Sequence, residues 1–216
     1  MRLAALFSGG KDSCYALHYA QQQGFDVCCL VSVVSENPES YMYHTVNIDM
    51  VPKQAEALGM TLYQMETEGV KEEELDDLME FLEELKKKEK LDGVLMGALA
   101  SEYQRTRIER ICEELGLASI APLWHVDPET YMNHIIDEGF DVRIVGVFAE
   151  GLDKSWLGRK IGKVTLQKLK KLRIHPAGEG GEIESFVVDG PGFKEKLKFK
   201  GEAVWDRNSG YFKINS

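Results

Sequence analysis

Cysteine is scarce in this chain, with only Cys14, Cys28, Cys29 and Cys112 present. No Cys-x-x-Cys pair occurs, so nothing points to a zinc site built on thiolates. Cys28 and Cys29 adjoin within an apolar stretch and read as small buried hydrophobes. No apolar run approaches the ~18 residues of a membrane span, and no basic leader with a cleavage site opens the chain. The expectation is a cytoplasmic protein without membrane contact. Basic residues are in the minority: 26 Lys and Arg against 36 Asp and Glu give a net charge of −10. A broad electrostatic grip on nucleic acid needs clustered cations, so no direct nucleic-acid binding is expected. Lys168–Arg173 and Lys194–Lys200 remain as candidate local basic patches. Two familiar phosphate-binding patterns are also missing. No Gly-x-x-x-x-Gly-Lys-Ser/Thr and no Gly-x-Gly-x-x-Gly can be found.

What is present is a regular alternation of strand-like and helix-like stretches. Residues 2–7 and 27–34 read as buried strands, with a helix over 13–23 between them that stops at Gly24. A helix over 49–58 with Asp49 as N-cap leads to a strand near 61–65. Residues 71–90 place Leu75, Leu78, Leu82 and Leu85 at spacings of three, four and three. That is an amphipathic helix, with acids in its first turn and lysines in its last. Gly93–Gly97 reads as a strand, 103–115 as a helix, and Asp127-Pro128 as the cap and first turn of a helix running to Gly139. Asp141–Phe148 is again strand-like. Beyond residue 185 the pattern turns to strands without helices, at 185–189, 195–199, 202–206 and 210–214. Parallel strands joined by helices predict an open α/β sheet covered on both faces, and the tail predicts a small, mainly β subregion or an antiparallel sheet edge. The expected division is 1–150 as the nucleotide-binding domain and 151–216 as a smaller substrate-contacting subregion.

Ser8-Gly9-Gly10-Lys11-Asp12-Ser13 joins the first strand to the first helix. Glycines let backbone amides turn toward an anion, and a helix N-terminus adds partial positive charge. Lys11 supplies a full charge, and Ser8 and Ser13 supply hydroxyls. The loop also lies at a strand's carboxyl end, where open α/β sheets bind ligands. This hexapeptide resembles the signature of the N-type ATP pyrophosphatases, the PP-loop enzymes, which split ATP to AMP and pyrophosphate while activating a substrate.

Three further segments resemble the diphthine–ammonia ligase family within that superfamily. They are Ser40-Tyr41-Met42-Tyr43-His44-Thr45; Gly97-Ala98-Leu99-Ala100-Ser101-Glu102-Tyr103-Gln104-Arg105-Thr106-Arg107, continuing through Leu123-Trp124; and Gly178-Glu179-Gly180-Gly181-Glu182, followed by Asp189-Gly190-Pro191. With Gly151-Leu152-Asp153 and Leu157-Gly158, the likeness spans nearly the whole chain. Ile183 and Ser185 depart from the aromatic and Thr usual in the family. The compact length resembles the archaeal form.

The resemblance implies an open, mostly parallel, five-stranded doubly wound sheet of the Rossmann-like, adenine nucleotide alpha hydrolase-like kind, with a small C-terminal α+β subregion. It implies a ligase that makes an amide on diphthine of translation elongation factor 2 from ammonium and ATP, with Mg²⁺, releasing AMP and pyrophosphate. A tRNA-modifying enzyme of the same superfamily and a non-catalytic nucleotide sensor are the alternatives, and a homodimer is allowed. Lys11, Arg107 and Glu182 are the expected catalytic residues. Ser8, Gly9, Gly10, Lys11, Asp12, Ser13, Gly97 and Ser101 are expected at the nucleotide. Tyr43, His44, Tyr103, Gln104, Glu179, Gly180, Gly181, Glu182 and Glu184 are expected at the substrate. Diphthine carries a trimethylammonium cation, for which aromatic faces and carboxylates are the physical match; Tyr41 and Trp124 add rings. No metal ligand is assigned, with Asp12 a candidate that serves equally well as a helix cap.

Overall fold

The computed structural model describes residues 1–35, 46–70 and 73–215. Strands β1 (Arg2–Leu6), β2 (Asp26–Ser35), β3 (Thr61–Thr67), β4 (Gly93–Leu95) and β5 (Ala118–Ile120) form a five-stranded sheet in the order β3-β2-β1-β4-β5. Every pairing in it is parallel. The chain builds outward from β1 through β2 to β3, then crosses back to lay β4 on the other side of β1. That reversal makes the carboxyl ends of β1 and β4 the topological switch point, the place of the ligand crevice in doubly wound sheets.

The helices are α1 (Lys11–Gln22), α2 (Val51–Leu58), α3 (Glu73–Glu89), α4 (Glu102–Leu115), α5 (Pro128–Asp137) and α6 (Lys163–Lys171). Alternation along β1 divides the core, since successive strand side chains face opposite ways. Leu3 and Ala5 pack with α1, α2, α5 and α6, while Ala4 packs with α3 and α4. The leucine stripe of α3 behaves as its spacing predicts: Leu78, Leu82 and Leu85 are buried and Leu75 is half-buried.

A second, antiparallel sheet has the order β7-β6-β9-β8, from β6 (Asp141–Val147), β7 (Ile183–Asp189), β8 (Gly201–Asp206) and β9 (Ser209–Ile214). The strand at 141–148 thus belongs to this second sheet. The short β5, which no periodicity marks in three residues, completes the first. Two other expectations are corrected. Residues 195–199 form no strand: the Leu197 amide donates to the Val188 carbonyl of β7 at 2.8 Å without extending into a ladder, Lys196 pairs with Asp141 at 2.6 Å and Phe199 stacks on Phe212. Asp49 is not an N-cap. Asn47 donates to the Phe212 carbonyl and accepts from the Ile214 amide, which starts a 3-10 turn at Ile48 and puts Asp49 inside it. Helix α6 was not legible in the sequence, although Thr165, Leu166 and Leu169 form its buried stripe.

Candidate active site

The loop after β1 enters α1 with Gly10 as N-cap, so no cap side chain serves the amides of Asp12 and Ser13 in the first turn. Gly9 has a φ of +77°, and a Cβ there would meet the Gln54 Oε1 at 2.1 Å. The loop is gripped from two sides. Gln54, fully buried on α2, donates to the carbonyls of Gly9 (2.9 Å) and Val187 (2.7 Å). From β7, the Val187 amide donates to the Gly9 carbonyl, and the Ser185 Oγ accepts from the Lys11 amide at 3.2 Å. The second sheet therefore forms one wall of the loop.

Within the loop, the Ser13 hydroxyl donates to the Gly10 carbonyl and accepts from the Ser8 amide. Lys11 is buried, with a side-chain exposure of 6%, and its ammonium donates to Asp12 Oδ2 at 2.9 Å. The other carboxylate oxygen, Oδ1, accepts from the Tyr131 hydroxyl at 2.7 Å. Tyr131 is buried on α5 and its phenol is pushed well above its ordinary value, by burial and then by the Asp12 charge, so it stays protonated as a donor. Cys14, one residue past the loop, has its thiol pushed up by burial; thiolate chemistry is suppressed there.

Gly97, after β4, closes the crevice from the other side. A Cβ at this position would stand 2.7–2.8 Å from backbone atoms of Asp12 and Ser13. Ser101 caps α4, its Oγ accepting from the Gln104 amide. Arg107 lays its guanidinium 3.5 Å from the Tyr103 ring centroid, and Arg105 lies 4.5 Å from that of Trp124. Both rings are thus already covered by a cation. Tyr103, Gln104 and Arg107 are half-buried.

The Gly178–Glu182 turn is built around His175. Its Nδ1 accepts from the amides of Ala177 and Glu179, and its own amide donates to Glu182 Oε2 at 2.6 Å. Glu182 is a structural clamp in this arrangement. Gly180 and Gly181 are exposed, with open space before them. Ile183 is buried against Gly178 and belongs to the core. Glu184 pairs across to Gly146 of β6 and directly precedes Ser185, the β7 residue that meets the loop. Tyr41, Tyr43 and His44 lie outside the described residues.

The structure brings together Ser8–Ser13, Gly97 and the unforeseen Gln54, Tyr131 and Ser185; Ser101, Tyr103, Gln104 and Arg107 follow β4 on the same rim. Tyr131 carried one readable signal: the Asp127-Pro128 cap sets the phase of α5, and a buried phenol needs a partner. Gln54 carried none.

A strand, a glycine turn and a helix bearing a buried lysine, set at the switch point of a parallel sheet, define an α/β protein of the PP-loop class. The chain belongs to the diphthamide synthase family: the model of the diphthamide synthase N-terminal domain matches residues 1–119, and that of the C-terminal domain matches 127–216. The diphthine–ammonia ligase of Rattus norvegicus is 36% identical over 219 residues, covering 91% of this chain and 82% of the relative. That of Schizosaccharomyces pombe is 33% identical over 238 residues, covering all of this chain and 39% of the longer relative. Among solved structures, a predicted subunit of tRNA methyltransferase from Methanocaldococcus jannaschii aligns at a TM-score of 0.44 and 15% identity, over 91% of this chain and 100% of that one.

Proposed function

We propose that this chain is an ATP-dependent ligase that converts diphthine to diphthamide on translation elongation factor 2 in the cytoplasm. The diphthine carboxylate attacks the α-phosphorus of ATP, forming a C–O–P bond as the bond to pyrophosphate breaks. Ammonia then attacks the acyl carbon, AMP leaves, and the surplus proton passes to water. Such chemistry needs positioning and charge stabilisation more than a nucleophilic side chain.

The observation that carries this reading is the Ser8–Ser13 loop, with its buried ammonium, in a chain that matches both domains of the family. Lys11 and the first-turn amides suit the departing pyrophosphate. Gly97 shapes the adenylate side of the crevice, and Arg107 on α4 is a cation for the carboxylate or phosphate. Mg²⁺, when bound, would supply Lewis-acid neutralisation of phosphate oxygens. Among the described residues no group of three or more His, Cys, Asp or Glu is arranged to hold a metal. Asp12 is the loop's own carboxylate and would be the residue to meet an ion carried on the triphosphate. The Gly178–Glu184 turn, held by Glu182, offers Glu179, Glu184 and the open backbone of Gly180 and Gly181 to the cationic side chain.

The test combines purified protein, ATP, Mg²⁺, ammonium and diphthine-bearing elongation factor 2. AMP release that requires the factor, with a carboxylate-to-amide mass change on the modified peptide, is the expected result. AMP release that requires tRNA instead, or none under any combination, overturns the reading.

A further inference from the structure

Lys11 and Asp12 are consecutive residues at the start of α1, and neighbours at that spacing do not face each other on a helix. Their side chains nevertheless meet at 2.9 Å. The Asp12 carboxylate bridges two donors, the Lys11 ammonium on Oδ2 and, from outside the helix, the Tyr131 hydroxyl on Oδ1 at 2.7 Å. We infer that Tyr131 is a positioning residue for the phosphate-loop ammonium, acting through Asp12; the inference rests on the nucleotide reading of the loop given above.

The geometry suits a rigid support. Asp127 caps α5 through the Thr130 amide at 2.8 Å, Met132 and Ile135 anchor the helix in the core, and the Tyr15 ring meets the Tyr131 ring edge-on at 5.4 Å. Tyr131 is fully buried and has little room to turn, whereas the Asp12 side chain is 30% exposed, so without the phenol only the Lys11 ammonium holds the carboxylate against water. A buried ammonium is stable only while paired. The phenol thus sets where the Lys11 charge sits before any phosphate arrives, which is the preorganisation that charge stabilisation requires. The support comes from the C-terminal half of the chain and acts on a loop in the N-terminal half.

The test measures ATP binding, in the presence of Mg²⁺, by calorimetry on the full chain and on Tyr131→Phe, Lys11→Gln and the double variant, with melting temperatures taken in parallel. Tyr131→Phe keeps the ring and removes only the hydroxyl. It is expected to weaken ATP by on the order of tenfold, the scale of one charge-assisted hydrogen bond. In the Lys11→Gln background the same change is expected to cost less than about twofold, because coupled residues are non-additive. In turnover, the KM for ATP rises while the KM for ammonium stays put. Unchanged ATP affinity in Tyr131→Phe overturns the inference, as does an equal loss in both backgrounds, which would mark a packing role. If the wild type binds no ATP, or Lys11→Gln binds it as well as the wild type, the nucleotide reading of the loop falls and takes the inference with it.

Discussion

At the scale of single residues, the crevice is defined by side chains that are absent as much as by those present. Gly97 lets the end of β4 lie against the first turn of α1, where any Cβ would stand within 2.8 Å of backbone rather than of a yielding side-chain tip. Gly97→Ala is expected to push the two elements apart, costing about 2 kcal/mol, as overpacking does, and to weaken ATP binding more than its stability loss explains. Thermal melts and ATP titration of that variant check both effects. The residues that carry recognisable chemistry, Ser8 to Ser13, were legible because the full hexapeptide between strand and helix is specific, where a bare glycine turn there is not. Their supports were not. Gln54 and Ser185 are ordinary polar residues 41 and 172 positions beyond Ser13 by residue number, and only the fold gives them carbonyls and amides to meet.

At the scale of elements, the second sheet is tied together at Asp141. Its carboxylate is buried at the start of β6 and accepts from Arg143 Nε (2.7 Å), Arg143 Nη2 (3.0 Å) and Lys196 Nζ (2.6 Å). Burial alone would raise its pKa, yet these hydrogen bonds and charges hold it below the ordinary carboxylate value. A depressed carboxylate contributes stability above its unfolded pKa, near 4, and loses it as the pH falls through the folded value. Asp141→Asn is expected to cost about 2 kcal/mol at pH 7, the worth of hydrogen bonds to a charged group. The gap between variant and wild type should close as the pH is lowered below about 4. Denaturant titrations at a series of pH values measure this, and a gap constant across the series would remove Asp141 as the anchor. Residues 195–199 read as a strand but form none, and one of their contacts is the same Asp141 carboxylate. Lys196 is held by a carboxylate 55 residues away, a partner that local alternation does not reveal.

At the scale of the whole molecule, the two halves matched by separate family models share one core. Leu3, Ala5 and Leu17 from the first half pack in the same cluster as Ile144, Val147, Leu169 and Val187 from the second. Unfolding is therefore expected as a single cooperative transition. Calorimetric and van't Hoff enthalpies should agree, and far-ultraviolet dichroism should track tryptophan fluorescence from Trp156, which lies in that shared core. Two separated transitions would show that the halves fold independently. The sequence by itself determined the phosphate loop, the α/β class and the buried stripe of α3, because turn chemistry, strand length and helical periodicity act over a few residues. It did not determine which sheet the strand at Asp141–Val147 joins, that Ala118–Ile120 closes the first sheet, or that Tyr131 reaches Asp12. Those are pairings between distant segments, decided by which edges and buried polar groups find partners once the chain has collapsed. Only the tertiary structure brings such partners within 3 Å.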